Sequence, residues 1–259
     1  MKGAGVRKKT LVTLLIMGGI YTSALFALET IPDTIPTGAL DTVMEADSVA
    51  LPLQIDIEEL DSIGSDEADR YTHLTQKDFE LVAKELNVEV AAIKAVVEIE
   101  AGKAMKGFWA PGVPVINFDK SMYNIYKNKV ESTAGAKGEK VPPGLTGHAL
   151  KEWTLFINMR KTNAQGANMG TFWGMFQIGG FNYKKCGCAT VDEFVERMSY
   201  SELEQLQLFA VFITETGMVE SLRKKDWSAF ARRYNGKSYA SRGYHTRMAK
   251  AYARFKNEK

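Results

Sequence analysis

Two glutamates lie one residue apart in the stretch AIKAVVEIEAGK, residues 92–103. Glu98 and Glu100 interrupt an otherwise apolar run. A carboxylate among Val and Ile costs several kcal/mol to bury unless it is paired or protonated. A carboxyl that stays protonated near neutral pH is what a general acid requires. On a helix, residues two apart point roughly 200° from each other, so these two do not form a catalytic pair. Val90, Ile93, Val97 and Glu100 share one face, and Ala91, Lys94, Ala95 and Glu98 share another. Glu100 therefore carries an apolar stripe to the helix end, where Gly102 is placed to stop the helix. Burial and the negative end of the helix both raise a carboxyl pKa there. Glu98, four residues after Lys94, suits a solvated ion pair. The plain alternative for Glu100 is a buried carboxylate paired with an arginine or capping a backbone amide, and this helix alone leaves both open.

Two further stretches carry candidate groups. GTFWGMFQIGGFNY, residues 170–183, mixes Trp, Phe and Tyr with four glycines and Gln177. Glycines permit close backbone approach and aromatics stack on sugars or bases; the plain reading is a Gly-rich turn that packs its aromatics into the core. FARRYNGKSYA, residues 230–240, ends a helix at Arg232–Arg233 and turns through Asn235–Gly236. The sequence holds no nucleophile elbow, phosphate loop, dinucleotide fingerprint or zinc-protease motif. His73, His148 and His245 are scattered, and no His, Cys and Asp cluster has metal-ligand spacing, so neither a metal nor a cofactor is expected. Cys186 and Cys188, in CGC, are the only cysteines and make no disulfide framework.

The elements around these residues are mainly helical. TQKD at 75–78 resembles a capping box and opens an amphipathic helix. A second helix spans 89–100. FWAPGVPV and VINFD suggest a small hairpin or irregular β segment, and 131–147 reads as a loop. Helices are expected at 148–163, 191–199, 202–216, 218–224, 227–233 and 243–256, with capping boxes TVDE and SELE opening two of them. The fold class is α+β, mostly α, in one unit covering residues 71–259.

In order along the chain, these pieces resemble the lysozyme-like superfamily: a Glu at a helix end, a GxxQ turn, then YNG after a helix. The closer resemblance is to the N-acetylmuramidase family of phage endolysins and bacterial wall hydrolases, over nearly all of residues 75–255. LTQKDF, IEAG at 99–102, PVINFD at 114–119, WGMFQIGGFN and FARRYNG match that family's segments. The chain departs from the family pattern at Ala101, at Asp119–Lys120–Ser121, at Phe172 and at Gly179. The resemblance implies a lysozyme-like helical domain with a small β element. It implies an enzyme that cleaves the β-1,4 bond between N-acetylmuramic acid and N-acetylglucosamine in peptidoglycan, with Glu100 as general acid. Trp173, Gln177, Phe181, Tyr234 and Asn235 would line or support the substrate cleft. A hydrolase also needs a second carboxylate, for which Asp119, after VPVINF, is the candidate; a strand-end turn residue is its plain role. Without that carboxylate, attack by the muramyl 6-hydroxyl would give the 1,6-anhydro product of a lytic transglycosylase. A non-catalytic wall-binding module is the third reading.

Charge is divided unevenly. Glu29 to Arg70 holds 12 acids and one base, whereas 71–259 holds 28 Lys or Arg against 19 Asp or Glu. A basic domain suits a polyanionic partner; peptidoglycan strands fit, and the absence of a basic recognition helix disfavours nucleic acid. Residues 29–70, acidic and Pro-containing, read as a flexible linker. Lys2, Arg7, Lys8 and Lys9 precede an uncharged apolar run from Thr10 to Leu28. Residues 1–28 are expected to be a signal peptide or a membrane anchor, placing an exported, monomeric domain in the periplasm or outside the cytoplasm, either free or tethered to the inner membrane.

Overall fold

The computed structural model describes Tyr71 and residues 73–258; the expected signal or anchor, 1–28, and the acidic linker, 29–70, lie outside them. Among the described residues, no helix is long and apolar enough to cross a membrane.

Helix α1 (Gln76–Leu86) opens on the expected capping box. Thr75 accepts from the Asp78 amide, and the Asp78 carboxylate accepts from the Thr75 amide. The chain turns through left-handed Asn87 into α2 (Val90–Ala101), which Gly102 ends at φ +79°. Helix α2 is largely buried. Ala91, Ala92, Ile93, Ala95, Val96 and Val97 are all buried, so apolar packing closes around most of its girth rather than along one stripe.

A two-stranded ribbon follows, β1 (Phe108–Ala110) against β2 (Val113–Pro114). The chain continues into β3 (Ile116–Phe118) and a short helix α3 (Lys120–Tyr126). After a long loop come α4 (Gly147–Arg160) and α5 (Ala164–Met169), then β4 (Thr171–Trp173) and β5 (Ile178–Gly179), and a 3-10 turn over Gly180–Cys186. The remaining elements are α6 (Val191–Met198), α7 (Glu202–Glu215), α8 (Val219–Arg223), α9 (Trp227–Tyr234), a 3-10 turn at Lys237–Tyr239, and α10 (Tyr244–Asn257). Thr190 and Ser201 cap α6 and α7 through the amides of Glu193 and Glu204. The reciprocal half of each box is diverted: Glu193 bonds the Ala189 amide and Glu204 pairs with Arg197.

Strands β3, β4 and β5 form one antiparallel sheet in which two rows run across the strands. Ile116, Trp173 and Ile178 are in register on one row, and Asn117, Phe172 and Gly179 on the other. The first row is buried in the core. Because side chains alternate along a strand, the second row faces the opposite way. Gln205 of α7 pins this sheet from behind: its Oε1 accepts from the Met175 amide (2.8 Å) and its Nε2 donates to the carbonyls of Met198 and Gly107. Glu202, also buried, accepts from the amides of Gly107 and Leu74.

Helix α10 packs along α2 and corrects one expectation. Glu98 pairs with Arg254 of α10, while Lys94 donates to Gln76 of α1 at 2.7 Å. A tertiary partner of better reach replaces the local i, i+4 pair, which is worth only about 0.3–0.5 kcal/mol on a helix surface.

Candidate active site

The end of α2, the outer row of the β3–β5 sheet, the 3-10 turn after β5 and the segment around Asn235 enclose an open cleft of about 870 Å³. Glu100 lies in it, one residue before the end of α2. Asn235, at the C-terminus of α9, donates its Nδ2 to Glu100 Oε1 at 2.7 Å. Burial pushes the Glu100 carboxyl up to about 7; the Asn235 hydrogen bond and the positive charge of Arg247 on α10 oppose that rise without cancelling it. Glu100 is therefore a carboxyl poised to hold or release a proton near neutral pH. Replacing Asn235 by the nearly isosteric Leu removes the bond that favours the carboxylate. The alkaline limb of any Glu100-dependent rate is then expected to move to higher pH, read from a pH–kcat/KM profile.

Gln177 stands on the tight turn between β4 and β5, where a non-glycine residue is held at φ +49°. Such strain persists only where surrounding bonds over-determine it. Here Gln177 Nε2 donates to Gly174 O (2.8 Å), and Gln177 Oε1 accepts from Asn117 Nδ2 (2.5 Å). Asn117 Oδ1 in turn meets His148 Nε2 at 3.0 Å, and Glu152, one turn along α4, accepts from the Phe118 amide at 2.9 Å. The amide of Gln177 is thus fixed by a chain of bonds reaching α4.

An aromatic wall flanks these polar groups. Phe181 stacks flat on Tyr126 at 5.0 Å and meets Phe172 edge-on at 6.0 Å. Gly179 makes room for it: a Cβ there would lie 2.3 Å from Cε1 of Phe181. The residue that departs from the family pattern at 179 is therefore the one that lets Phe181 lie over the sheet.

Of the seven site residues expected from sequence, Glu100, Asp119, Gln177, Phe181, Tyr234 and Asn235 all line this cleft. Trp173 does not. It belongs to the core row of the sheet, is fully buried, meets Phe156 edge-on, and donates its indole N–H to Asn168 O at 3.0 Å. The strand alternation that buries Trp173 behind the sheet turns Phe172 to the cleft. Tyr234 is packed against Phe230 and gives its hydroxyl to Phe176 O (2.5 Å); burial and the neighbouring Glu100 raise its pKa well above 10 and keep it neutral. Asp119 caps α3, with Oδ1 accepting from the amides of Ser121 and Met122. It thus fills the turn role and faces the cleft as well. The sequence reading missed Asn117, Phe172, Lys185, Arg242 and Arg247. Phe172 and Asn117 were open to strand periodicity; the two arginines carried no local signal.

Cys186 and Cys188 are free and buried, and burial pushes both thiols up, to about 12 and about 11, which makes them inert packing groups. A smaller hollow of about 300 Å³, between Phe79, Lys94 and Phe255, contains none of the site residues expected from sequence. No group of three or more His, Cys, Asp or Glu residues able to hold a metal occurs among the described residues.

The described residues thus form a mostly helical domain with small antiparallel sheets, and its open cleft holds the Glu100 carboxyl. The family model of the muramidases, described as N-acetylmuramidase, matches residues 89–256. Among solved structures, the endolysin of Burkholderia phage AP3 is similar at 33% identity and a TM-score of 0.58, over 74% of this chain and 76% of that one. None of the curated proteins matches. The chain belongs to the N-acetylmuramidase family, whose class is that of peptidoglycan-hydrolysing glycosidases.

Proposed function

We propose that the protein cleaves the β-1,4 bond between N-acetylmuramic acid and N-acetylglucosamine in peptidoglycan, with Glu100 as the general acid. The observation that carries this reading is Glu100 itself: a partly buried carboxyl at a helix end, opening on a cleft of about 870 Å³, with one oxygen held by Asn235. Because Oε1 already accepts from Asn235, the proton belongs on Oε2, free to reach the glycosidic oxygen. Donation there assists departure of the leaving sugar as the ring takes on oxocarbenium character. Phe172 and Phe181 offer apolar faces to the sugar rings, and Asn117, Gln177 and Asn182 offer amides to their acetamido groups and hydroxyls. Peptidoglycan lies outside the cytoplasm, which agrees with the export signal expected at residues 1–28; a monomer acting without a cofactor suffices for this chemistry.

Asp119 would supply the second carboxylate, orienting the attacking water or stabilising the cation. Its cleft position supports that role, and its capping bonds, which occupy Oδ1, favour the competing reading in which the muramyl 6-hydroxyl attacks instead. Mass spectrometry of muropeptides from digested sacculi separates them. Hydrolysis adds about 18 Da per cut; a transglycosylase leaves 1,6-anhydro ends without that mass. Anhydro ends as the sole product would overturn the hydrolase reading, and intact sacculi would leave only wall binding.

A further inference from the structure

We propose that Lys185 and Arg242 form a cationic subsite for a carboxylate carried on the lactyl branch of muramic acid, the feature that distinguishes this sugar from N-acetylglucosamine. The inference rests on the peptidoglycan reading and deepens it. Three cationic side chains line the cleft, Lys185, Arg233 and Arg242. Arg233 is committed elsewhere, donating to the carbonyls of Thr216 and Gly217. Lys185 and Arg242 are exposed and have no ion pair among the described residues. Neither acid of the cleft, Glu100 or Asp119, forms an ion pair with them among the described residues.

Their placement gives the charge a target. Lys185 stands four residues after Phe181, on the same 3-10 turn that carries the aromatic wall. A sugar stacked on Phe181 would present a pendant group toward that turn. Arg242 comes from the segment that also supplies Asn235, Gly236 and Tyr244 to the cleft, so the two cations reach the cleft from separate segments. A neutral glycan needs only the aromatic and amide groups already present. Two unpaired cations in the same cleft add discrimination for a glycan bearing anions, and a guanidinium meets a carboxylate with a matched pair of donors. On the lactyl branch that anion is either the free lactyl carboxylate of a stripped strand or a carboxylate of the peptide stem amide-linked to it.

The test compares the full chain with the double variant Lys185→Ala, Arg242→Ala on three forms of purified sacculi: native, with stem carboxylates amidated by carbodiimide and ammonia, and with stems removed by an amidase to expose the lactyl carboxylate. On native sacculi the double variant is expected to lose about tenfold in kcat/KM, mainly through KM, as fits two solvent-exposed ion pairs. The deficit should shrink in roughly 0.5 M salt. The charge-preserving Lys185→Arg, Arg242→Lys pair should retain activity, which guards against a fold defect. A deficit on native sacculi that vanishes on amidated sacculi assigns the subsite to the stem; a deficit seen only on stripped strands assigns it to the free lactyl carboxylate. Equal rates of wild type and double variant on all three forms overturn the inference while leaving the muramidase reading intact. Wild-type protein that releases neither reducing nor 1,6-anhydro ends from any form overturns both.

Discussion

Glu100→Gln is expected to lower turnover on sacculi by at least ~100-fold, the ordinary loss when a general acid is removed, while sacculus binding and the circular dichroism spectrum stay unchanged. The substitution keeps the shape of the side chain and its bond from Asn235 Nδ2, so only the proton is lost. The same variant makes a second, opposite prediction for stability. The Glu100 carboxyl has a pKa of about 7 in the folded chain against an ordinary 4.5. Between those values the folded state holds a proton that the unfolded state releases, so stability falls as pH rises from about 4.5 to about 7 and the loss is complete above that. One pKa unit corresponds to about 1.4 kcal/mol, so the rise from 4.5 to about 7 puts the cost at pH 8 at about 3.5 kcal/mol as an upper bound, since the residue is partly exposed to the cleft. Gln carries no charge at any pH and escapes this cost. Urea unfolding should find Glu100→Gln more stable than wild type at pH 8 and nearly equal to it at pH 4.5. The wild-type rate should fall as pH rises through about 7. Full activity in the variant removes Glu100 from the role of acid; equal stabilities at pH 8 would show its carboxyl to be ordinarily solvated.

The parts legible in the sequence were those with local signals. Thr75, Thr190 and Ser201 announced helix starts because a cap is a bond between near neighbours. Glu100 stood out because a carboxylate on an apolar stripe needs a reason. Most of the failures share one cause, partners distant in the chain. Glu98 finds Arg254, 156 positions later, and Glu100 is tuned by Asn235 and Arg247 on other helices. Helices α3 and α5, with 7 and 6 residues, span under two turns each and leave no periodicity to read. Asp119 consequently looked like the end of a strand alone, although it also begins α3. The cleft-facing row Asn117, Phe172, Gly179 exists only once β3, β4 and β5 pair, and the β3–β4 pairing joins residues more than fifty positions apart.

That row makes adjacent residues of one strand answer differently to the same substitution. Trp173→Ala is expected to cost about 3–5 kcal/mol, the usual range for truncating a buried Trp. It empties the space facing Phe156 and leaves the Asn168 carbonyl without its indole donor. Asn168 also accepts from Arg160 and donates to Asp192 at 2.7 Å, so the loss reaches a polar network joining α4, α5 and α6. For a domain of this size the drop in Tm should be roughly 10 °C, read by calorimetry. Phe172→Ala removes a ring from the cleft wall and edge-on support from Phe181, an interaction worth about 0.5–1.5 kcal/mol. Its Tm should shift by only a few degrees while KM rises up to about tenfold. The contrast decides between two roles for the aromatics of this stretch. If Trp173→Ala changed KM with little loss of stability, Trp173 would be a sugar-stacking residue after all, and the register that places it in the core would be wrong by one residue, which in a strand turns every side chain to the other face.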